Sequence, residues 1–381
     1  MLLDILQPAR ILFGPGCSDR FGIEVSRLGK KPLIVTGQKS LAASGNLDRI
    51  VTPLRTVKIK PVFFAEVPPE PTVDIVDQAR EIAVENQCDV IIGVGGGSAI
   101  DVAKATAGLF HESSPTRDYL YGKEINSFRL PWIAVPTTAG SGSEVTENAV
   151  LTDPQNLKKA SIRCEFWLPD TAIVDPVFTM SMPKRLTAIT GLDALTHAIE
   201  SFTSRWANPY SSALSQTAVV LVVQNIYSSY STGKKEFREK MMLASLLAGQ
   251  ALNLSRSGAV HAMAHPIGAR HGISHGLVCA ILLPRVMSYN LPLVDGKYAS
   301  LAYAANLASP NTPPEEAALR FIHYVEKVLR KLELPTRLSE VGVKEEDIPW
   351  LVESSLDSSS LAANPRRTLP RDLVKILQES L

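Results

Sequence analysis

The 381-residue chain balances 39 Lys+Arg against 38 Asp+Glu, a formal charge of +1. No Lys/Arg run breaks that balance, so the electrostatic footprint that nucleic acid demands is missing and no nucleic-acid partner is expected. A composition of 45% hydrophobic and 20% charged residues is that of an ordinary globular protein, which excludes the disordered and fibrous classes. The length suits two domains of about 150 residues or more. Cys17, Cys88, Cys164 and Cys279 are scattered without CxxC spacing, as reduced, individually buried thiols of a cytosolic protein would be. The opening residues carry Asp4 and no long apolar region, and no uncharged apolar stretch of about 18 residues follows. These features predict a cytoplasmic protein with neither a secretory signal nor a membrane partner.

From the N-terminus, short apolar runs alternate with helical patterns. Lys31 to Gly37, Val57 to Val67, Asp89 to Val94 and Trp132 to Pro136 read as strands, while Thr72 to Gln87 and Ala99 to Phe110 carry apolar residues at three- and four-residue spacing. Strands alternating with helices predict an α/β domain around a Rossmann-like parallel sheet covered on both faces. After Asp175-Pro176 the pattern changes, with Met182-Pro183 as a linker. Arg185 to Ser201, Pro209 to Ser229, Phe237 to Asn253, His275 to Tyr289 and Pro314 to Leu332 all read as helices, and Pro209 suits the first position of its helix. The expected division is an α/β domain over 1–180 and an all-α domain over 181–381.

Two loops follow predicted strands. Gly95-Gly96-Gly97-Ser98 leads into a helix containing Asp101. Glycines there let backbone N–H groups approach an anion closely, and the helix aims its positive end at the same place, which suits a pyrophosphate. The spacing is neither GxGxxG nor a GK[ST] P-loop. Pro136-Thr137-Thr138-Ala139-Gly140-Ser141-Gly142-Ser143-Glu144 follows the next strand and offers hydroxyls for the other side of a nucleotide. Either loop alone is also compatible with a tight packing turn or a flexible surface. Their position at consecutive strand ends, where ligands collect in parallel sheets, favours binding.

Five of the seven histidines fall in two stretches, Gly191 to His197 and His261 to His275. Asp193 and His197 lie one turn apart on one helical face. A carboxylate and an imidazole so placed can share a divalent ion with donors from the second stretch, whose histidines are His261, His265, His271 and His275. The N and O donors suit Fe(II), Zn(II), Mn(II) or Co(II) in a catalytic rather than a closed structural site. Spacing alone does not select among these histidines.

Taken together, Gly95 to Asp101, Pro136 to Glu144, Thr190 to Glu200, His261 to Gly268 and Ser274 to Gly276 resemble the iron-containing (group III) alcohol dehydrogenase family, related in fold to dehydroquinate synthase and glycerol dehydrogenase. Arg10 to Gly14 and Ala363 to Arg366 extend the likeness almost end to end. The resemblance implies a dehydroquinate-synthase-like fold and a metal, Fe(II) or alternatively Zn(II), held by Asp193, His197, His261 and His275. It puts His265 near the substrate but off the metal, with His271 a second residue for proton transfer. Pro266 is expected to kink or end the helix there.

The resemblance further implies hydride transfer between a small alcohol or aldehyde and NAD(P), in a homodimer or higher homo-oligomer. The nucleotide would lie along Gly37, Lys39 and Ser40, then Gly95, Gly96, Gly97, Ser98 and Asp101, with the nicotinamide near Thr137, Thr138 and Lys159 in the cleft between the domains. Where NAD-specific members carry an aspartate after the first strand, this chain has Gly37 followed by Gln38, Lys39 and Ser40. That change removes a repulsion toward a 2′-phosphate and adds a cation and donors, so NADP(H) is favoured over NAD(H). A phenylalanine usual in the helix before the second stretch is Leu252 here, which implies a roomier pocket. Other readings on the same residues are a dehydroquinate-synthase-like or glycerol-dehydrogenase-like enzyme, a metal-free reductase of the maleylacetate type, and a nucleotide-binding protein without catalysis. Filled ligand positions disfavour the metal-free reductase.

Overall fold

The computed structural model describes residues 3–38 and 40–381, Ser40 by its backbone alone. Lys39, expected near the cofactor ribose, lies outside the described residues. The chain separates into two compact units, Met1–Ser181 and Met182–Leu381.

The first unit contains β1 (Arg10–Phe13), β2 (Pro32–Gly37), β3 (Val62–Val67), β4 (Val90–Gly95), β5 (Trp132–Pro136), β6 (Asn148–Asp153), β7 (Lys158–Arg163) and β8 (Thr171–Val174). Its helices are α1 (Phe21–Leu28), α2 (Ser40–Ala43), α3 (Leu47–Thr56), α4 (Val73–Glu85), α5 (Gly97–Gly108) and α6 (Thr116–Leu120). Six strands form one parallel sheet in the order β1-β8-β5-β4-β2-β3, and β6 and β7 form a separate antiparallel hairpin. Alternate residues of the central strands enter different cores. Leu33, Val35, Ile91, Trp132 and Ala134 pack with Val76, Ala79, Ile100 and Ala103. Ile34, Ile92, Val94, Ile133 and Val135 pack with Phe21, Val25, Ile50 and Leu54. Two buried faces explain why these strands read as unbroken apolar runs instead of alternating ones.

The topology fixes where a ligand can sit. From β2 the chain moves to the edge strand β3, and from β4 it moves the other way, to β5. The connections therefore diverge between neighbouring β2 and β4, whose Thr36 and Val94 are paired. A crevice opens at the carboxyl ends of strands at such a switch point, and Gly37 and Gly95 are the last residues of these two strands.

Three sequence expectations shift. The predicted strand Val57 to Val67 begins only at Val62, because Val57 closes α3 and Lys58 takes a left-handed turn (φ 56°). The helix carrying His265 does not end at Pro266 but runs from Ala259 to His271. Proline forfeits one N–H bond, and the buried face of Val260, Met263, Ala264 and Ile267 holds the remainder of that helix together. The helix expected to stop near Tyr289 continues to Ala304, past Pro284 and Pro292, with a kink at Val294 (φ −137°, ψ 20°).

The second unit comprises α7 (Lys184–Thr203), α8 (Pro209–Thr232), α9 (Lys235–Ser255), α10 (Ala259–His271), α11 (His275–Ala304), α12 (Pro314–Lys331), α13 (Ile348–Leu356) and α14 (Pro370–Ser380). Asn208 caps α8 in a reciprocal capping box with Ser211, and Pro209 occupies its first turn. By length and composition α11 is long and apolar enough to cross a membrane, but 67% of that apolar window is buried inside the protein, where it serves as a core helix.

Candidate active site

The two glycine- and hydroxyl-rich loops meet in the first unit. Thr137 N–H donates to Gly95 O at 2.8 Å, continuing the register that pairs Gly95 with Pro136. A Cβ added at Gly97 would lie 2.8 Å from Ser141 Oγ, and one at Gly95 would lie 2.7 Å from the Ala99 Cβ. Both distances are closer than a Cβ tolerates, so glycine at 97 permits the approach of the two loops and glycine at 95 permits the tight turn from β4 into α5. Gly96 caps α5 without a side-chain hydrogen bond, which leaves the first N–H groups of a 12-residue helix for an anion.

Beneath the loops, a buried charge cluster holds them together. The Lys104 ammonium donates to Ser143 O (2.9 Å), Ser143 Oγ (3.2 Å), Thr146 Oγ1 (3.2 Å) and Asn148 O (2.6 Å). Asp101, 3.7 Å from Lys104, accepts from Ser143 Oγ and from Val150 N–H at 2.9 Å. Burial lowers the Lys104 pKa to about 8 against the opposing pull of Asp101 and Glu144. It raises Glu144 to about 7 and raises Asp101 as well. Asp101, expected along the nucleotide, faces Ser143, Val150 and Lys104. Lys159, expected near the nicotinamide, pairs with Glu70 through a side chain that is almost fully buried. Ser98 Oγ donates to Pro69 O at 2.5 Å. Gln38 reaches Glu66 O at 3.4 Å.

In the second unit α7, α10 and α11 converge on one donor group. Asp193, His261, His275 and Cys279 each contribute an atom, all four lying within 4.8 Å of one another. His197 stacks on His261 at 4.6 Å between ring centres with planes 24° apart. His265 lies 5.3 Å from His275 and 6.4 Å from His261, again between ring centres. The structure therefore brings together Asp193, His197, His261, His265 and His275. His271 instead stands with Nε2 3.4 Å from Asp347 Oδ2, at the end of α10 where Arg270 Nε also donates to Asp347 at 3.0 Å.

Cys279, expected as an isolated buried thiol, stands instead among the metal residues. Cys279 lies one turn after His275 on α11, is fully buried, and has its Sγ 3.6 Å from His275 Nε2.

Glu200 received no role in the sequence reading. Its Oε2 accepts from His261 Nδ1 (2.5 Å) and Gly258 N–H (2.8 Å), and its Oε1 accepts from Val260 N–H (2.7 Å). One carboxylate thus caps the positive end of α10 and fixes the ring of His261 with Nε2 turned to the donor group. Asn364, from the closing segment, receives Ala259 N–H at 3.3 Å and Asn290 Nδ2 at 3.1 Å. Burial opposes protonation of His261, but the charges of Glu200 and Asp193 prevail and raise its pKa. The helical spacing could have identified Glu200, since Asp193, His197 and Glu200 stand at i, i+4 and i+7 on one face.

This donor set fits a divalent cation. Asp193 Oδ1 and His261 Nε2 are buried without a hydrogen-bond partner, in side chains of residues only 6% and 4% exposed. Uncompensated polar atoms of that kind are costly unless an ion satisfies them. A Glu200→Gln substitution keeps the shape of the side chain but removes its charge. It is expected to weaken metal affinity by about 10- to 100-fold, as measured by metal titration. An unchanged affinity with a lowered melting temperature would reduce Glu200 to a helix cap.

Sequence models of the two halves of one family match this chain. The iron-containing alcohol dehydrogenase model covers residues 8–176 and the family's C-terminal model covers residues 187–381. The 1,3-propanediol dehydrogenase of Citrobacter freundii is 34% identical over 382 aligned positions, covering 100% of this chain and 99% of its own. The NADPH-dependent butanol dehydrogenase of Clostridium saccharobutylicum is 32% identical, covering 97% of this chain and 96% of its own. The solved sulfoacetaldehyde reductase of Bifidobacterium kashiwanohense, in complex with NAD+, is similar with a TM-score of 0.89 at 31% identity, covering 100% of this chain and 99% of its own. A match over both halves, together with an Asp/His donor group and a glycine loop at the sheet's switch point, leads to one conclusion: the chain belongs to the iron-containing alcohol dehydrogenase family, oxidoreductases that interconvert alcohols and aldehydes with a nicotinamide cofactor.

Proposed function

We propose that this chain is a metal-dependent reductase of small aldehydes, reversible toward the alcohols, that prefers NADP(H). The observation that carries the metal part is the pair of buried, unpartnered donor atoms on Asp193 and His261. Asp193, His197, His261 and His275 would hold the ion, Fe(II) in the family's usual form. When bound, the ion supplies Lewis acidity toward the substrate oxygen and the nicotinamide supplies hydride. Glu200 orients His261, and the negative charge of Asp193 and Glu200 favours a cation at this point. His265, one turn from His261 on the same helix, is the proton-handling group. His271, tied to Asp347, is the weaker candidate for that task.

On the nucleotide side, Gly95, Gly96, Gly97 and Ser98 with the open end of α5 would take the pyrophosphate, and Thr137 and Thr138 would face the nicotinamide half. Asp101 and Lys104 would hold that loop from beneath. Lys159, held by Glu70, would take a supporting position beside the nicotinamide half. Gly37, at the switch point, leaves room for a 2′-phosphate, with Lys39 and Ser40 following it in the chain. The cysteine pattern favours a cytoplasmic location, and the family resemblance favours a homo-oligomer.

The test is a dehydrogenase assay of metal-reconstituted protein across short alcohols and aldehydes with each cofactor. Wild type is expected to show the higher kcat/KM with NADPH. A Gly37→Asp substitution is expected to invert that preference, because one charge-assisted contact is worth about 1.5–3 kcal/mol, or roughly ten- to a hundredfold in affinity. A strong NAD preference in wild type, or an unchanged ratio in the variant, would overturn the cofactor assignment.

A further inference from the structure

Cys279 is the member of the donor group that the family resemblance does not supply. Its Sγ stands 3.6 Å from His275 Nε2 and lies in the same 4.8 Å group as the donors of Asp193, His261 and His275. The thiol is fully buried. That a ligand belongs there is indicated independently by Asp193 Oδ1 and His261 Nε2, buried without partners. The placement has a sequence cause: one helical turn after His275 on α11, residue 279 must share the face that His275 presents.

We propose that Cys279 is a sulfur donor at the metal centre, converting an N/O site into a mixed N/O/S site that selects zinc over ferrous iron more strongly than the histidine–aspartate set alone. A thiolate is a soft donor suited to Zn(II) and Co(II), whereas carboxylate and imidazole discriminate less among divalent ions. The inference rests on the metal-centre reading above and goes beyond it in assigning the ligand that sets metal choice.

Cobalt reports on it directly. Metal-free wild type, loaded anaerobically with Co(II), is expected to bind one ion per chain and to develop an intense near-ultraviolet sulfur-to-cobalt charge-transfer band. Cys279→Ser is expected to bind one cobalt without that band. In an anaerobic competition with equal zinc and ferrous iron, read by elemental analysis, the variant's zinc-to-iron ratio should fall by at least about tenfold, the lower end of what a lost partner at a metal site costs in affinity. Stoichiometric cobalt in wild type with no band would overturn the proposal while leaving the metal centre intact, and this needs no variant to fold. A band that persists in Cys279→Ser, or an unchanged ratio, would overturn it equally. Failure of wild type to bind cobalt at all would sink both this proposal and the metal-centre reading.

Discussion

A His261→Ala protein is expected to lose bound metal and turnover together while keeping its fold. The ring sits at the meeting point of α7, α10 and α11, stacked on His197 and 5.2 Å from His275 between ring centres. Its Nδ1 is committed to Glu200, so its only role toward an ion is through Nε2, which has no other partner. Truncation deletes that donor and leaves the Glu200 carboxylate with two backbone N–H groups in place of three donors. Because the helix cap survives, circular dichroism should match wild type. The sharpest readout is linkage: a metal that binds only the folded state raises stability by about 2.7 kcal/mol at a hundred times its Kd. Wild-type melting should therefore rise with added metal, and the variant's should not. Full occupancy with full activity in His261→Ala would end the assignment of His261 as a ligand.

Much of this was legible in the chain, and what was not has physical causes. Trp132 to Pro136 reads with the strand's own limits because both faces of it are buried, leaving an unbroken apolar run between Pro131 and the polar Thr137. Val57 to Val67 reads as one strand because Val57 and the buried Ile59 extend the apolar pattern of β3 backwards, although 57–61 is the turn and connector that follows α3. The hairpin of β6 and β7 went unseen since its strands mix small, polar and charged residues and are recognised only once paired.

At the sites, residue type and spacing pointed to the metal helices and the glycine loop, but not to the direction of each side chain. Asp101 sits beside the anion loop in sequence and faces Lys104 and Ser143 in the fold. Cys279 reads in sequence as an isolated thiol, although its four-residue offset from His275 equals that between Asp193 and His197. The same rule applied to every polar residue of a ligand-bearing helix would have found both Cys279 and Glu200.

His265→Ala is expected to keep one metal per chain yet lose about a hundredfold or more in kcat, the lower range for a general acid or base. Reducing an aldehyde consumes a proton at the substrate oxygen and oxidising an alcohol releases one, so a half-buried site needs a titratable group within reach of that oxygen. His265 is the group expected to fill that role. It follows His261 by one turn on α10, and its ring stands 5.3 Å from His275 and 6.4 Å from His261. It remains partly exposed, whereas His261 is buried, as a group exchanging protons with solvent must. The family resemblance also sets it beside the metal ligands but off the ion, so its truncation should spare the ion. Two measurements separate catalysis from packing. The pH profile of kcat/KM should lose the limb that reports the imidazole, and added imidazole should restore part of the rate. A merely structural histidine would change neither. If His265→Ala loses metal to the same extent as His261→Ala, the residue is a ligand and proton transfer must be assigned elsewhere. His271, held against Asp347, would be the next position to test.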